Sequence, residues 1–146
     1  MFKHILICTD GSPLATKAAK AAISLAKALR AKVTAYCALE DLLPLYAEGY
    51  AFDQLATDRF EAAIFAIGQK RVDAIGKLAK AAGVPYTAMV SKALAADEGI
   101  IMAAKTQKCD VIVMASHGRR GLTKLIMGSV TQNVLAHSKI PVVVYR

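Results

Sequence analysis

Tryptophan is absent from this chain, and its 146 residues include only three cysteines, four prolines and 6% aromatic residues. The three cysteines, Cys8, Cys37 and Cys109, form an odd set with no CxxC spacing, which gives no support to a disulfide framework or a zinc site. Two of them sit inside apolar runs, so all three read as buried thiols. Glycine numbers nine, and 55% of residues are hydrophobic against 21% charged, which excludes disordered, collagen-like and low-complexity classes. Long apolar runs are missing as well. The longest stretch free of Asp, Glu, Lys and Arg, from Leu125 to Ser138, contains Ser, Thr, Gln, Asn and His and falls short of the ~20 apolar residues of a membrane span. The opening apolar run leads straight into Asp10 without a small-residue cleavage site, so no secretory leader is expected and the cytoplasm is the expected location. Acids are absent from residues 111–146, where Arg119, Arg120, Lys124, Lys139 and Arg146 carry most of the net charge of +8. Such a segment attracts phosphates, nucleic acid or an acidic partner, or else is a solvated basic surface. Nucleic acid is disfavoured, because no strand interleaves aromatic and basic residues.

What is present alternates between two periodicities. Short β-branched runs at Lys3–Thr9, Lys32–Leu39, Pro85–Ser91, Asp110–Ala115 and Ile140–Tyr145 predict five strands. The first, fourth and fifth are almost continuously apolar, as strands covered on both faces are. Ser12 before Pro13 reads as an N-cap ahead of a first-turn proline, predicting a helix over about 13–30 with Ala15, Ala18, Ala22, Leu25 and Leu29 on one face and Lys17, Lys20 and Lys27 on another. A second helix is expected from about Asp53 to Ala82, with Phe60, Ile64, Ile67, Ile75 and Leu78 at helical spacing and Gly68 and Gly76 weakening its middle. A third should start near Asp97 and Glu98 and end near Lys105 and Lys108, and a fourth should run from about Ser129 to His137. Strict strand–helix alternation specifies an α/β fold: one domain over 1–146, an open five-stranded parallel sheet with helices on both faces, flavodoxin- or Rossmann-like, in the order 3-2-1-4-5. The stretch from Glu40 to about Gln54, with Tyr46, Tyr50 and Phe52, is irregular and reads as a lid, a partner surface, or a loop tucked onto the fold.

Ligands of such sheets bind at the carboxyl ends of strands where the strand order reverses, here between strands one and four. The segments that follow those strands are Thr9-Asp10-Gly11-Ser12 and Ser116-His117-Gly118-Arg119-Arg120-Gly121. The second continues to Gly128-Ser129 at the start of a helix, a combination of close-approach glycines, helix N-terminus and hydroxyl that suits phosphate. Turns and close packing alone are the competing explanation of those glycines. Arg119, Arg120 and Lys124 could screen a polyphosphate, and one of them is expected to do so. Asp10 could contact base, ribose or a metal, or simply form an Asx turn into the first helix. A dinucleotide fingerprint and a Walker A sequence are both absent, and the third strand ends in VSKALAAD, without the clustered acids of a phospho-receiver.

Four blocks in order, HILICTDGSP, VIVMASHGRRG, Gly118 followed at a nine-residue interval by Gly128-Ser129, and VLAHSKIPVVVYR, make the chain resemble the universal stress protein family over essentially its whole length. The resemblance implies an adenine-nucleotide-binding fold whose nucleotide-binding branch carries the pattern Gly-x2-Gly-x9-Gly-Ser/Thr. That pattern falls here on Ala115, Gly118, Gly128 and Ser129, so alanine stands where the first glycine is usual. It further implies that Thr9, Asp10 and Ala38 meet the adenosine, that Met114 lines the base, and that the phosphates lie on Gly118, Gly128, Ser129 and the Val130 amide. His117 and Arg119 complete the set. The ligand so implied is ATP, ADP or AMP, with Mg²⁺ where a di- or triphosphate is bound, in a stress-response protein acting through nucleotide state and an unidentified protein partner. The alternatives are a nucleotide-free dimeric interaction protein of the same fold and a slow ATP hydrolase. No catalytic residue and no metal ligand is nominated, because His117 has no partner in a recognised nucleophile motif and no general base can be named. The apolar final strand, Ile140–Tyr145, is an edge with few charges and is expected to pair with its own copy in a homodimer, with Pro141 trimming the pairing.

Overall fold

The computed structural model describes residues 1–40, 53–119 and 127–146. Among the described residues five strands and four helices alternate: β1 (His4–Cys8), α1 (Pro13–Leu29), β2 (Lys32–Glu40), α2 (Gln54–Ala82), β3 (Tyr86–Ala93), α3 (Ala96–Thr106), β4 (Val111–Ala115), α4 (Ser129–His137) and β5 (Val142–Tyr145). The strands form one sheet in the order β3-β2-β1-β4-β5, every neighbouring pair parallel. The expected topology is therefore the observed one.

Alternation along the central strands explains why the sheet is covered twice. Ile5, Ile7, Val33, Ala35, Val111 and Val113 point to one face and pack under α1 and α2 with Ala22, Ala26, Val72, Ile75 and Ala79. Leu6, Cys8, Tyr36, Ile112 and Met114 point to the other, under α3 and α4 with Ile100, Ala104 and Val134. Each helix is placed by local chemistry. The Ser12 hydroxyl accepts the Ala15 amide at 3.1 Å to cap α1, the Asp53 carboxylate accepts the Ala56 amide at 2.8 Å to cap α2, and Gly83 at φ 72 ends α2.

Sharing a helical face does not decide burial. Leu25, on the apolar face of α1, is 36% exposed, because the helix is held by a stripe of small residues, Ala15, Ala18, Ala19, Ala22 and Ala26, with Ile23. Phe60 and Ile67 of α2 are about half exposed, and the buried residues of that helix begin only at Gly68. Helical spacing identified a stripe but not how much of it meets the sheet. Gly68 and Gly76 are close-approach positions rather than weak points: a Cβ on Gly68 would stand 2.8 Å from Leu39 and Val90 side chains, and one on Gly76 would run into the Tyr86 ring.

The polar interior carries a pH dependence. His4 is buried in β1, its Nε2 2.7 Å from Thr34 Oγ1, which is in turn 2.8 Å from Thr87 Oγ1. Desolvation lowers its pKa, Lys32 adds to the effect, and Asp110 with the Gln107 and Lys108 backbone opposes it. The folded pKa thus lies below the unfolded one, so acidification protonates the unfolded chain first. Stability is full above about pH 6.5 and falls as pH drops through the window below that. Thermal melts at about pH 7.5 and pH 5.5 should therefore show a smaller loss of Tm for His4→Gln than for the wild type; equal losses would show that His4 does not contribute.

Candidate functional site

The carboxyl ends of β1 and β4 lie side by side at the centre of the sheet. The Thr9 amide donates to the Tyr36 carbonyl at 2.9 Å, carrying the β1–β2 pairing one bond beyond Cys8. The chain then turns into α1 through Asp10 and Gly11. Asp10 Oδ1 accepts the Ser12 amide at 2.9 Å, the Asx turn expected there, and its Oδ2 accepts the Arg119 amide at 2.7 Å. One carboxylate thus shapes the β1 turn and ties it to the loop after β4. A Cβ on Gly118 would stand 2.7 Å from that same Oδ2, so the tie requires glycine at 118.

The start of α4 is laid against this loop. The Gly128 amide donates to the Ser116 carbonyl at 2.8 Å, and a Cβ at 128 would stand 3.3 Å from His117 Cα and 3.8 Å from the Gly118 amide nitrogen. Gly128 is the N-cap residue of α4, and among the described residues no side chain caps the helix. First-turn donors at a helix N-terminus beside two glycines can serve an anion, because backbone there can approach a phosphate closely. Thr131, which sequence reasoning missed, secures the geometry: its hydroxyl donates to the Ala115 carbonyl at 2.9 Å.

The remaining expected residues divide by position. Ala115 lies in β4 opposite Tyr145 with extended backbone, so its methyl group demands no unusual φ. Met114 is 5% exposed and packs with Cys8 and Tyr36, while half-buried Ala38 packs against the same cluster. Both stand on the α3–α4 side, beneath the crevice. His117 faces elsewhere. Its Nδ1 is 3.1 Å from Ser116 Oγ, and it lines a hollow of about 310 Å³ with Leu14, Lys17 and Tyr145. Ser116 is buried and, among the described residues, no third group orients this hydroxyl–imidazole pair. The three cysteines are free and buried. Burial raises all three thiol pKa values, that of Cys109 to about 11, and Arg71 only partly offsets the rise at Cys37. The thiols are therefore protonated near neutral pH. Arg71 is the other residue the sequence did not point to; the long α2 carries it to the β1 end, a placement no local signal encodes. Arg120, Gly121 and Lys124, and the aromatic stretch at 41–52, lie outside the described residues. Among the described residues no helix is long and apolar enough to cross a membrane, and no group of three or more His, Cys, Asp or Glu could hold a metal.

The universal stress protein family model matches residues 1–146. The chain belongs to the universal stress protein family. A universal stress protein of Methanocaldococcus jannaschii is 31% identical over 148 residues, covering 100% of this chain and 83% of that protein. Among solved structures, a universal stress protein in complex with cAMP superposes with a TM-score of 0.73 at 22% identity, covering 99% of this chain and 97% of that one. A family member from Arabidopsis thaliana with AMP bound superposes with a TM-score of 0.69 at 13% identity, covering 98% and 90%. At those identities the likeness establishes the shared fold. This universal stress protein carries at its β1–β4 crevice a glycine-lined helix terminus of the kind that accepts phosphate.

Proposed function

We propose that this universal stress protein binds an adenine nucleotide, ATP, ADP or AMP, in the crevice between the ends of β1 and β4. The observation that carries the reading is the N-terminus of α4, without a side-chain cap among the described residues and held against the Ser116–Gly118 backbone by glycine at 128. Phosphates would take the amides of Gly118, Ser129 and Val130 with the Ser129 hydroxyl, and Gly128 gives the room to reach them. The adenosine would lie over Ala38 and Met114 with Thr9 and Asp10 at its edge. Ala115, His117 and Arg119 would frame the loop. Relatives of the same fold with cAMP and AMP bound support the reading. A di- or triphosphate would bring Mg²⁺ coordinated chiefly by phosphate oxygens and water, which needs few protein ligands. With no oriented general base among the described residues of the site, the reading is binding rather than turnover, hydrolysis being slow at most. The protein would act in the cytoplasm, its nucleotide state altering what its surface offers to a partner.

Calorimetric titration with ATP-Mg and with AMP should give saturable heat. Denaturing the freshly purified protein and comparing the supernatant with nucleotide standards identifies what it carries from the cell. Absence of saturation at millimolar ligand for both nucleotides, from protein shown to be nucleotide-free, would overturn the reading.

A further inference from the structure

On the other face of the sheet, between α1, α2 and the end of β1, lies a cleft of about 480 Å³. That is within the ~300–1,000 Å³ of small-molecule sites. We propose that it is a second ligand site, for an organic anion that joins a carboxylate or phosphate head to a compact apolar body. It adjoins the nucleotide crevice, with Thr9, Asp10 and Arg119 common to both, and extends from them to the other side of the sheet: Ile75 and Leu78 on its wall belong to the core under α1 and α2, whereas Met114 and Ala38 belong to the core under α3 and α4.

Charge is unbalanced in this cleft. Among the described residues Lys70, Arg71 and Arg119 line it against a single acid, Asp10. Both Asp10 oxygens already accept amides, from Ser12 and Arg119. Among the described residues no carboxylate forms an ion pair with any of the three cations. Arg71 is the telling group. Its side chain is half-buried and laid across Gly11, where φ is +80 and a Cβ would stand 2.9 Å from Arg71 Nε. The partner of its guanidinium among the described residues is the Cys37 thiol, 3.8 Å from Nη1. A thiol is a weak acceptor for a planar fork with five donors, and a guanidinium drawn out of water without an acceptor costs free energy. A bound carboxylate or phosphate would supply that acceptor in two-pronged geometry.

The apolar side of the cleft sets the rest of the ligand. Ile67, Ala74, Ile75 and Leu78 present a hydrocarbon wall, and Ile67 is 51% exposed. A simple inorganic anion would leave that wall wet, whereas a ring or short branched chain would cover it. The glycine at 11 has a role here too, since any side chain there would displace Arg71 from its position over the β1 turn.

Nuclear magnetic resonance titration of the full chain tests this with phenyl phosphate, benzoate, benzyl alcohol and inorganic phosphate as probes. Phenyl phosphate, benzoate or both should shift the Gly11, Lys70 and Arg71 amides saturably, and the tighter of the two identifies the head group. Benzyl alcohol and inorganic phosphate should bind at least about ten-fold more weakly, and Arg71→Gln should weaken the organic anion by a similar factor. Lys70→Glu, at an exposed position that leaves folding intact, should weaken it in the same direction. AMP-induced shifts at residues 128–130 should be the same in both variants as in the wild type. Should AMP shift nothing in any of them, the nucleotide reading fails while this one stands. Probe shifts confined to residues 128–130, equal binding of the neutral alcohol, or unchanged affinity in both variants would overturn the second site.

Discussion

Gly128→Asp is expected to lower the affinity for AMP and ATP by at least about 100-fold, which is ~2.7 kcal/mol, while leaving the fold intact. The backbone at 128, with φ −62 and ψ 148, is open to any residue, so the substitution introduces no torsional strain. The tight spot is the Cβ, which would stand 3.3 Å from His117 Cα and must be relieved by a small shift. Aspartate is also among the best N-cap residues, and its carboxylate would accept α4 first-turn amides, which no side chain caps among the described residues of the wild type. Helix stability would gain what binding loses. The carboxylate would occupy the donors meant for phosphate and set a like charge against it, so the loss combines competition with repulsion. Gly128→Ala, which adds only the methyl group, should cost far less. Calorimetric titration and thermal melts of the two variants separate these effects. An aspartate variant that folds and binds AMP as the wild type does would show that phosphate lies elsewhere.

We propose that two copies pair through β5 in a homodimer, which Val143→Lys is expected to convert into monomers at tens of micromolar. Among the described residues β5 is an edge of the sheet, paired with β4 alone, and Val143 is 41% exposed on it. The opposite edge, β3, carries Lys92, a charge of the kind that blunts an open edge, whereas β5 is the uninterrupted apolar run VVVY. A two-fold axis through β5 would pair the strands antiparallel, with the two copies of Val143 facing each other near the axis. Lysine there would place two like charges opposite one another in an apolar seam, and lengthening of the sheet across the axis would be lost. Pro141, just before the strand, removes one donor from the pairing but leaves the four residues of β5 free to make it. Light scattering that returns a monomer mass for the wild type, with no change on substitution, would defeat this assembly.

The fold was legible because its signals are local and repeated. Ser12-Pro13 marks the start of α1, Gly83 the stop of α2, and the near-continuous apolar runs of β1 and β4 announce strands covered on both faces. Once strands and helices alternate, the handedness of parallel crossovers leaves few sheet orders, and the β1–β4 crevice follows from topology. Spacing left burial open at Leu25, Phe60 and Ile67 for one reason: helical periodicity says which residues share a face, while the sheet and neighbouring elements decide which of them are buried. The N-terminal half of α2 extends its stripe without a matching strand surface, and its apolar residues stay partly in water.

By itself, then, the sequence determined the element order, the parallel sheet and the glycine-serine loop that nominates a phosphate cradle, since each depends on residues within a few positions of one another. Only the tertiary structure decided that Asp10 ties the β1 turn to the Arg119 amide, 109 residues away, that Gly118 must be glycine to permit it, and that Thr131 locks α4 to β4. The same is true of Arg71, which α2 delivers over Gly11 beside Cys37. These are contacts between elements whose separation along the chain carries no periodic or local signal. They exist because a sheet of fixed strand order and two covered faces brings the ends of distant segments together, and side chains that happen to meet there must satisfy one another's hydrogen bonds or leave them for a ligand.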